Sequence, residues 1–468
     1  MAKAFSDMRQ FLNYLGEMGH LVRVEKEVET RYEIAAYIRK TSDQQGPGLL
    51  FENVKGHDMQ VAGGLFATMQ GAAHALQCRV DEISKKMIDG IQNPIAPRMV
   101  DSGPCQEVVY EGDNVDLYKL PIPLYSEKDS APYITMGVTI SKDPETGIRN
   151  MGLYRNELKG KNRLGISAQT VRVHLAKAER TGKGVPIAIA LGVDPALLIA
   201  AGYKAPYGID ELNMAGGLRG APVELVKAKT CDLEVPATAE IVIEGIALPN
   251  VREMEGPFGE YPGYYNPAIP KPIVQVTAIT HRQKPIFLAG LTGMPTTENH
   301  ILKQVCLEPM LTWDLRQKFP GVKEVHLPAA GAQALLAVVS MRPTSKFEAR
   351  NVISYMLSNK PSVKSVIAVE DDIDIRNIEQ VVWATMTRFQ PAEDVIILSN
   401  LTEIALDPSG PRGGASASGT SDGLAPELTS SGMGIDATRP FGREFPELVR
   451  VPGVENVPDF IKAPKLHH

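Results

Sequence analysis

Two carboxylates, Glu255 and Glu260, stand five residues apart in the stretch Glu253-Met254-Glu255-Gly256-Pro257-Phe258-Gly259-Glu260-Tyr261-Pro262-Gly263-Tyr264-Tyr265. Paired carboxylates held in a restricted pocket push one pKa upward and give a proton donor at neutral pH. The two glycines and the proline between them cannot continue a helix, so the segment is predicted to be a turn or irregular loop. A tight turn can bring both acids to one place, which a regular strand would not do at an odd spacing. The same spacing also suits a glycine-rich surface turn with solvated acids, and spacing alone leaves both readings open. A second candidate is Arg155 in Asn150-Met151-Gly152-Leu153-Tyr154-Arg155. Its planar guanidinium can hold a carboxylate through two bonds and stays charged at every relevant pH.

These groups need a scaffold to position them, and the chain is long enough to supply one. Its 468 residues, 43% of them hydrophobic, predict two or three domains with large cores. Net charge is −6 without a basic block, which argues against a nucleic-acid partner. No apolar run approaches the ~20 residues that cross a bilayer. Cys78, Cys105, Cys231 and Cys306 are scattered without a Cys-x-x-Cys pair, which speaks against a zinc site or disulfide framework. With a polar start at Met1-Ala2-Lys3, this predicts a cytoplasmic protein.

Along the chain, residues 5–19 read as a helix capped by Ser6, followed by short strands and a second helix. Residues 1–120 are predicted to form an N-terminal α/β part. Over 121–297 the texture turns to short strands, including Tyr133–Ile140, Pro186–Leu191, Glu240–Glu244, Val274–Thr280 and Pro285–Ala289, with one helix after Thr170. That pattern predicts a barrel or sandwich. Residues 298–468 alternate helix and strand, a C-terminal α/β domain. Pro309 is expected to kink or end its first helix, and 409–433 form a Gly/Ser-rich loop. Neither a GxGxxG turn after a strand nor a GxxxxGK[ST] loop is present, so a dinucleotide fold and a P-loop are unsupported.

The wording Glu-Gly-Pro-Phe-Gly-Glu-Tyr-Pro-Gly-Tyr-Tyr resembles the signature of UbiD-type decarboxylases, which use prenylated FMN to remove carboxylates from aromatic or α,β-unsaturated acids. Further motifs follow in family order to about residue 445, including Glu211 ahead of Ala215-Gly216-Gly217-Leu218-Arg219 and the late segment Gly434-Ile435-Asp436-Ala437-Thr438-Arg439-Pro440. The resemblance implies an α/β fold with a central split β-barrel like that of flavin reductases. It implies that Asn150 and Glu211 bind a Mn²⁺ or Mg²⁺ ion on the cofactor phosphate, and oxygen ligands of this kind suit such ions. Backbone carbonyls around Ala201 to Tyr203 would hold K⁺. Met151, Leu153, Tyr154, Arg155, Pro206 and, as a phosphate contact, Lys360 are the implied cofactor neighbours. Arg155 would pair with Glu255 and leave Glu260 free to protonate carbon.

One position departs from the family. Where a metal-binding histidine usually precedes the helix near residue 170, this chain has Gln169, with His174 a turn further on. The third ligand is therefore open between Gln169, His174, water and a weaker shell. The implied activity is reversible, non-oxidative decarboxylation, with CO₂ as product and a flavin prenyltransferase as supplier of the cofactor. The missing histidine keeps a second reading open, a catalytically weak or structural subunit of a carboxylase complex. His300 and Lys303, at i and i+3 after the central part, can face one ligand; the same residues also suit a His300 that caps the turn and a solvated Lys303. They would select an acid with a second polar or anionic group, such as a furandicarboxylate, over a plain cinnamate-like acid. The apolar content and the late helices also predict a homo-oligomer.

Overall fold

The computed structural model describes residues 4–360, 362–402, 406–410 and 429–457. Most of the Gly/Ser-rich stretch expected at 409–433, and the tail beyond 457, lie outside the described residues. The chain has a mixed α/β fold. Its first helix, Met8–Glu17, buries Met8, Phe11, Leu12 and Leu15. Asp7, not Ser6, caps it, accepting the Gln10 amide at 2.8 Å, where a carboxylate also meets the positive end of the helix dipole.

The N-terminal sheet orders its strands as Leu21–Val24, Gly48–Phe51, Gln60–Gly63 and Ile286–Leu288. The last of these was expected in the central part, and it instead returns to run parallel to Gln60–Gly63. The strand has no polar face: Phe287 belongs to one core cluster, while Ile286 and Leu288 belong to another. A strand buried on both sides must be covered on both sides, and this position provides that cover.

Among the described residues the central sheet has nine strands. From one edge it runs Tyr133–Ile134, Arg155–Gly160, Arg163–Ser167, Ile269–His281, Ile241–Glu255, Val185–Leu191, Val138–Lys142 and Arg149–Leu153, with Val108–Glu111 added beside Ile269–His281. The strand expected over 133–140 is split into two at Thr135–Gly137. All of its pairings are antiparallel. No closed barrel forms among the described residues. Yet Arg149–Leu153 and Arg155–Gly160 lie at or near opposite ends of this path and are separated only by Tyr154. The sheet must therefore curl until its ends meet at that residue.

Two helices of the central part escaped the sequence reading. Pro195–Gly202 is buried nearly all round and so shows no amphipathic period. Glu211–Arg219 contains Gly216-Gly217, which reads as a turn, but a Cβ at either glycine would come within 2.2 Å of the Ile95 or Gly90 carbonyl. The glycines are there for close packing. Helix Glu298–Lys318 then continues past Pro309, so the proline does not end it. Burial of Ile301, Leu302, Val305, Cys306, Leu311 and Leu315 outweighs the lost backbone bond, as packing commonly overrides local propensity. The C-terminal sheet follows, in the order Val322–His326, Leu336–Met341, Ser365–Glu370, Thr429–Ala437, Val395–Thr402. No described helix is long and apolar enough to cross a membrane.

Candidate active site

Glu255 ends the long strand Ile241–Glu255, and the chain then reverses. Gly256 adopts φ +96°, a conformation that favours glycine, and Gly256-Pro257 is a cis bond. Phe258–Gly259 pairs back onto Tyr265–Asn266, which delivers Glu260 to the same place as Glu255. Arg155, the first residue of its strand, joins the two acids. Its Nε donates to Glu255 Oε1 at 2.7 Å and its Nη2 to Oε2 at 2.8 Å, a bidentate pair. Its Nη1 donates to Glu260 Oε1. The guanidinium also lies 4.8 Å from the centre of the Phe258 ring. Hydrogen bonding to Glu255 and the two carboxylate charges outweigh burial and raise the Arg155 pKa further.

Asp129 fixes the turn from outside. Its Oδ1 accepts the Gly259 amide at 2.9 Å and its Oδ2 accepts the Ser126 amide at 2.8 Å. Burial pushes this carboxyl up to about 6. Asp129 and Gly259 are 130 residues apart in sequence, and no spacing signal announces their contact.

Where the curled sheet brings its ends together there is a cavity of about 570 Å³, within the range of small-molecule sites. Its wall includes Asn150, Met151, Leu153, Tyr154, Arg155 and Gln169, with Glu211, Glu260 and Lys303 on other elements. Glu211 is buried, accepting Asn150 Nδ2 at 2.7 Å on Oε1 and the Met151 amide at 2.8 Å on Oε2. Desolvation pushes its carboxyl up to about 7.

Three family profiles match the chain in order. The N-terminal domain of 3-octaprenyl-4-hydroxybenzoate carboxy-lyase covers residues 12–91, its Rift-related domain 98–295 and its C-terminal domain 300–437. The chain belongs to the UbiD family. It is a decarboxylase of that family, and solved UbiD-class structures superpose on it end to end. The UbiD-class enzyme HmfF from Pelotomaculum thermopropionicum, in complex with FMN, shares 39% identity over 97% of this chain and 99% of that one, with a TM-score of 0.87. The vanillic acid decarboxylase of Sedimentibacter hydroxybenzoicus shares 32% over 97% and 98%, with a TM-score of 0.85. The 3,4-dihydroxybenzoic acid decarboxylase of Klebsiella pneumoniae shares 26% over 98% and 100%, also with a TM-score of 0.85.

Against the UbiD pattern, Arg155 takes Glu255 as expected, but Glu260 is not free of the pair. The third guanidinium nitrogen reaches it, because the turn places both acids within one fork. His300 is a correction. Its ring is fully buried, Nδ1 accepts the Thr297 amide at 3.1 Å, and Nε2 donates to the Tyr261 carbonyl at 2.7 Å. Both nitrogens serve the helix start and the carboxylate turn, and burial pushes the pKa down to about 4, so the ring is neutral and does not line the cavity. Lys303 does line it, with its ammonium 3.0 Å from the centre of the Tyr261 ring, and burial lowers it to about 7. Lys360 is a second correction: its ammonium pairs with Asp314 at 2.7 Å and does not reach the cavity wall. Pro206 and His174 line a smaller neighbouring cavity of about 100 Å³ that shares Asn150, Thr170 and Ala205 with the first. His174 Nδ1 is 3.0 Å from Ser141 Oγ.

The residues at Asn150 and Glu211 fit a divalent cation. Glu211 is a buried carboxylate that accepts from two neutral donors, the Asn150 amide and the Met151 N–H, and burial raises its pKa. A bound metal would restore the ionised form. Gln169 on the same wall can add an amide oxygen. Sequence reasoning missed Arg172 and Lys204, which add two basic groups to the cavity wall. Arg172 follows Gln169 by three positions on one helix, a spacing that could have flagged it.

Proposed function

We propose that this chain reversibly decarboxylates an aromatic or heteroaromatic acid carrying a second anionic group, with prenylated FMN as cofactor. One observation carries the reading: a single arginine bridges two glutamates, and it and one of them, Glu260, line a cavity large enough for a cofactor and a small acid. Decarboxylation at an sp² carbon leaves charge that no side chain can accept, and prenylated FMN supplies that electron sink when bound. Support for this cofactor comes from FMN in HmfF and from prFMN in its evolved dimeric form, 37% identical to this chain.

The chain's own groups divide the remaining work. Asn150, Glu211 and Gln169 would hold Mn²⁺ or Mg²⁺, and the carbonyls of Ala201 to Tyr203 would hold K⁺. Met151, Leu153 and Tyr154 give the cofactor its apolar wall. Arg155 and Glu255 form a fixed charge pair that orients the reacting carboxylate. Glu260 lies at the edge of that pair, where it can return a proton to carbon. Lys303 meets the group opposite the leaving carboxylate. With His300 withdrawn, Lys303 remains the sequence candidate for the preference for a dicarboxylate such as furandicarboxylate over cinnamate. The intact triad opposes the reading as a silent subunit.

The test is turnover by protein co-produced with a flavin prenyltransferase. Furandicarboxylate, pyrrole-carboxylate, hydroxybenzoate and cinnamate are assayed side by side. Release of CO₂ from the dicarboxylate ahead of the others is expected. Bound modified flavin with no turnover of any acid would refute the proposal.

A further inference from the structure

The strand that returns from the carboxylate turn carries a charge that the proposed chemistry leaves unused. Ile269–His281 runs antiparallel to Ile241–Glu255, with Lys271 opposite Glu253 and Ile269 opposite Glu255. Opposed residues share a face, as do residues two apart on one strand. Lys271 therefore sits on the same face as Glu255, one diagonal step away. Both are fully buried. The Lys271 ammonium has no hydrogen-bond partner among the described residues, and Pro270 and Pro272 bracket it, fixing the backbone on either side.

An unpartnered ammonium is costly to bury, so nearby charge must offset it. Four charged groups face it: Glu255 from the adjoining strand, Glu260 from the turn, Arg155 from its strand and Arg172 from helix Gln169–Glu179. The acids attract it and the guanidinium groups repel it. Glu253, directly opposite, is already engaged with Arg163 at 2.5 Å.

The geometry points to Lys271 as a positioning residue of the Glu255–Arg155–Glu260 triad, whose charge, acting through space, decides whether the two glutamates hold one proton or none. With Arg155 and Lys271 both charged, two ionised glutamates make a neutral set. Moving one proton from Lys271 to a glutamate leaves the set neutral as well. Net charge favours neither arrangement, so local desolvation sets the balance. Burial lowers Lys271 from 10.5 to about 8, so the ammonium still carries its charge at neutral pH. The lone ammonium has no hydrogen-bonded path to either acid, so the effect is electrostatic and not a relay.

This inference rests on the triad as the proton-handling site, and the test separates the two. The purified chain, without added cofactor, is titrated by infrared spectroscopy, following the C=O band of protonated carboxyl groups. Wild type is compared with Lys271→Met and Lys271→Leu, and Glu260→Gln assigns the band. Loss of the charge should move the band's midpoint upward by about one pH unit or more. In protein loaded with prenylated FMN, the alkaline limb of kcat should move the same way. Folding is checked by Tm. The fold penalises protonated Lys271, fully below about pH 8 and not at all above 10.5. The methionine variant should therefore be the more stable protein at pH 7, and the two should converge towards pH 10.5. A shifted band in a protein that decarboxylates nothing would support Lys271's role and overturn the decarboxylase reading. An unmoved band in either folded variant would overturn the role of Lys271.

Discussion

Replacing Arg155 with lysine keeps the charge and removes the fork. The native guanidinium makes two bonds to Glu255, at 2.7 and 2.8 Å, and a third to Glu260. A lysine ammonium is a point charge that cannot hold one carboxylate bidentately and also keep the second in plane. One or two charge-assisted bonds are lost, at about 1.5–3 kcal/mol each. A loss of two bonds, about 3–6 kcal/mol, converts to roughly 10²- to 10⁴-fold in kcat/KM. The assay is steady-state decarboxylation, with flavin content equalised by absorption. Glu255→Gln and the double variant are run alongside. Because the three residues act as one unit, the double variant should be little worse than the poorer single. Arg155→Lys within tenfold of wild type, or losses that simply multiply, would refute this reasoning.

Lys303→Met should raise KM for a dicarboxylate by about 10- to 100-fold, the value of one charge-assisted contact, and should hardly affect a monocarboxylate. Since Lys303 is lowered to about 7, the wild-type preference should fade as pH rises above that value, read from kcat/KM ratios. Glu211→Gln should weaken Mn²⁺ binding measured by electron paramagnetic resonance. In wild type, affinity should fall by up to roughly tenfold per pH unit below about 7, because the metal needs the ionised carboxylate. Asp129 is raised from 3.8 to about 6, so its contribution is fully present below 3.8 and is lost as pH climbs through 6. The stability advantage of wild type over Asp129→Asn in urea should shrink across that window by at most about 3 kcal/mol.

The parts of the site that were legible in the sequence are those carried by local motifs. Glu255, Gly256, Pro257 and Glu260 announce a turn that gathers two acids, and the fold makes that turn. Asn150 and Arg155, five residues apart, read as one element. In fact they flank the point where a curled sheet brings its ends together, which periodicity cannot show. For His300 the sequence left two roles open, because a helical spacing gives direction and not partners: at the third position of its helix it bonds back to Thr297 and takes the capping role. The helix Pro195–Gly202 left no amphipathic trace because it is buried all round, and Glu211–Arg219 was hidden by glycines that serve packing. Asp129 and Lys271 owe their positions to pairings between distant strands and loops, and no local spacing points to them.

The central claim is that Glu260 handles the proton for decarboxylation at this triad. It is tested most directly by Glu260→Gln in protein loaded with prenylated FMN, with flavin content and turnover measured on one preparation. The amide keeps the shape and loses the transferable proton. Flavin content should match wild type while turnover falls by about 10²- to 10⁴-fold, the range of general acid catalysis. Turnover close to wild type at equal flavin content would contradict the claim.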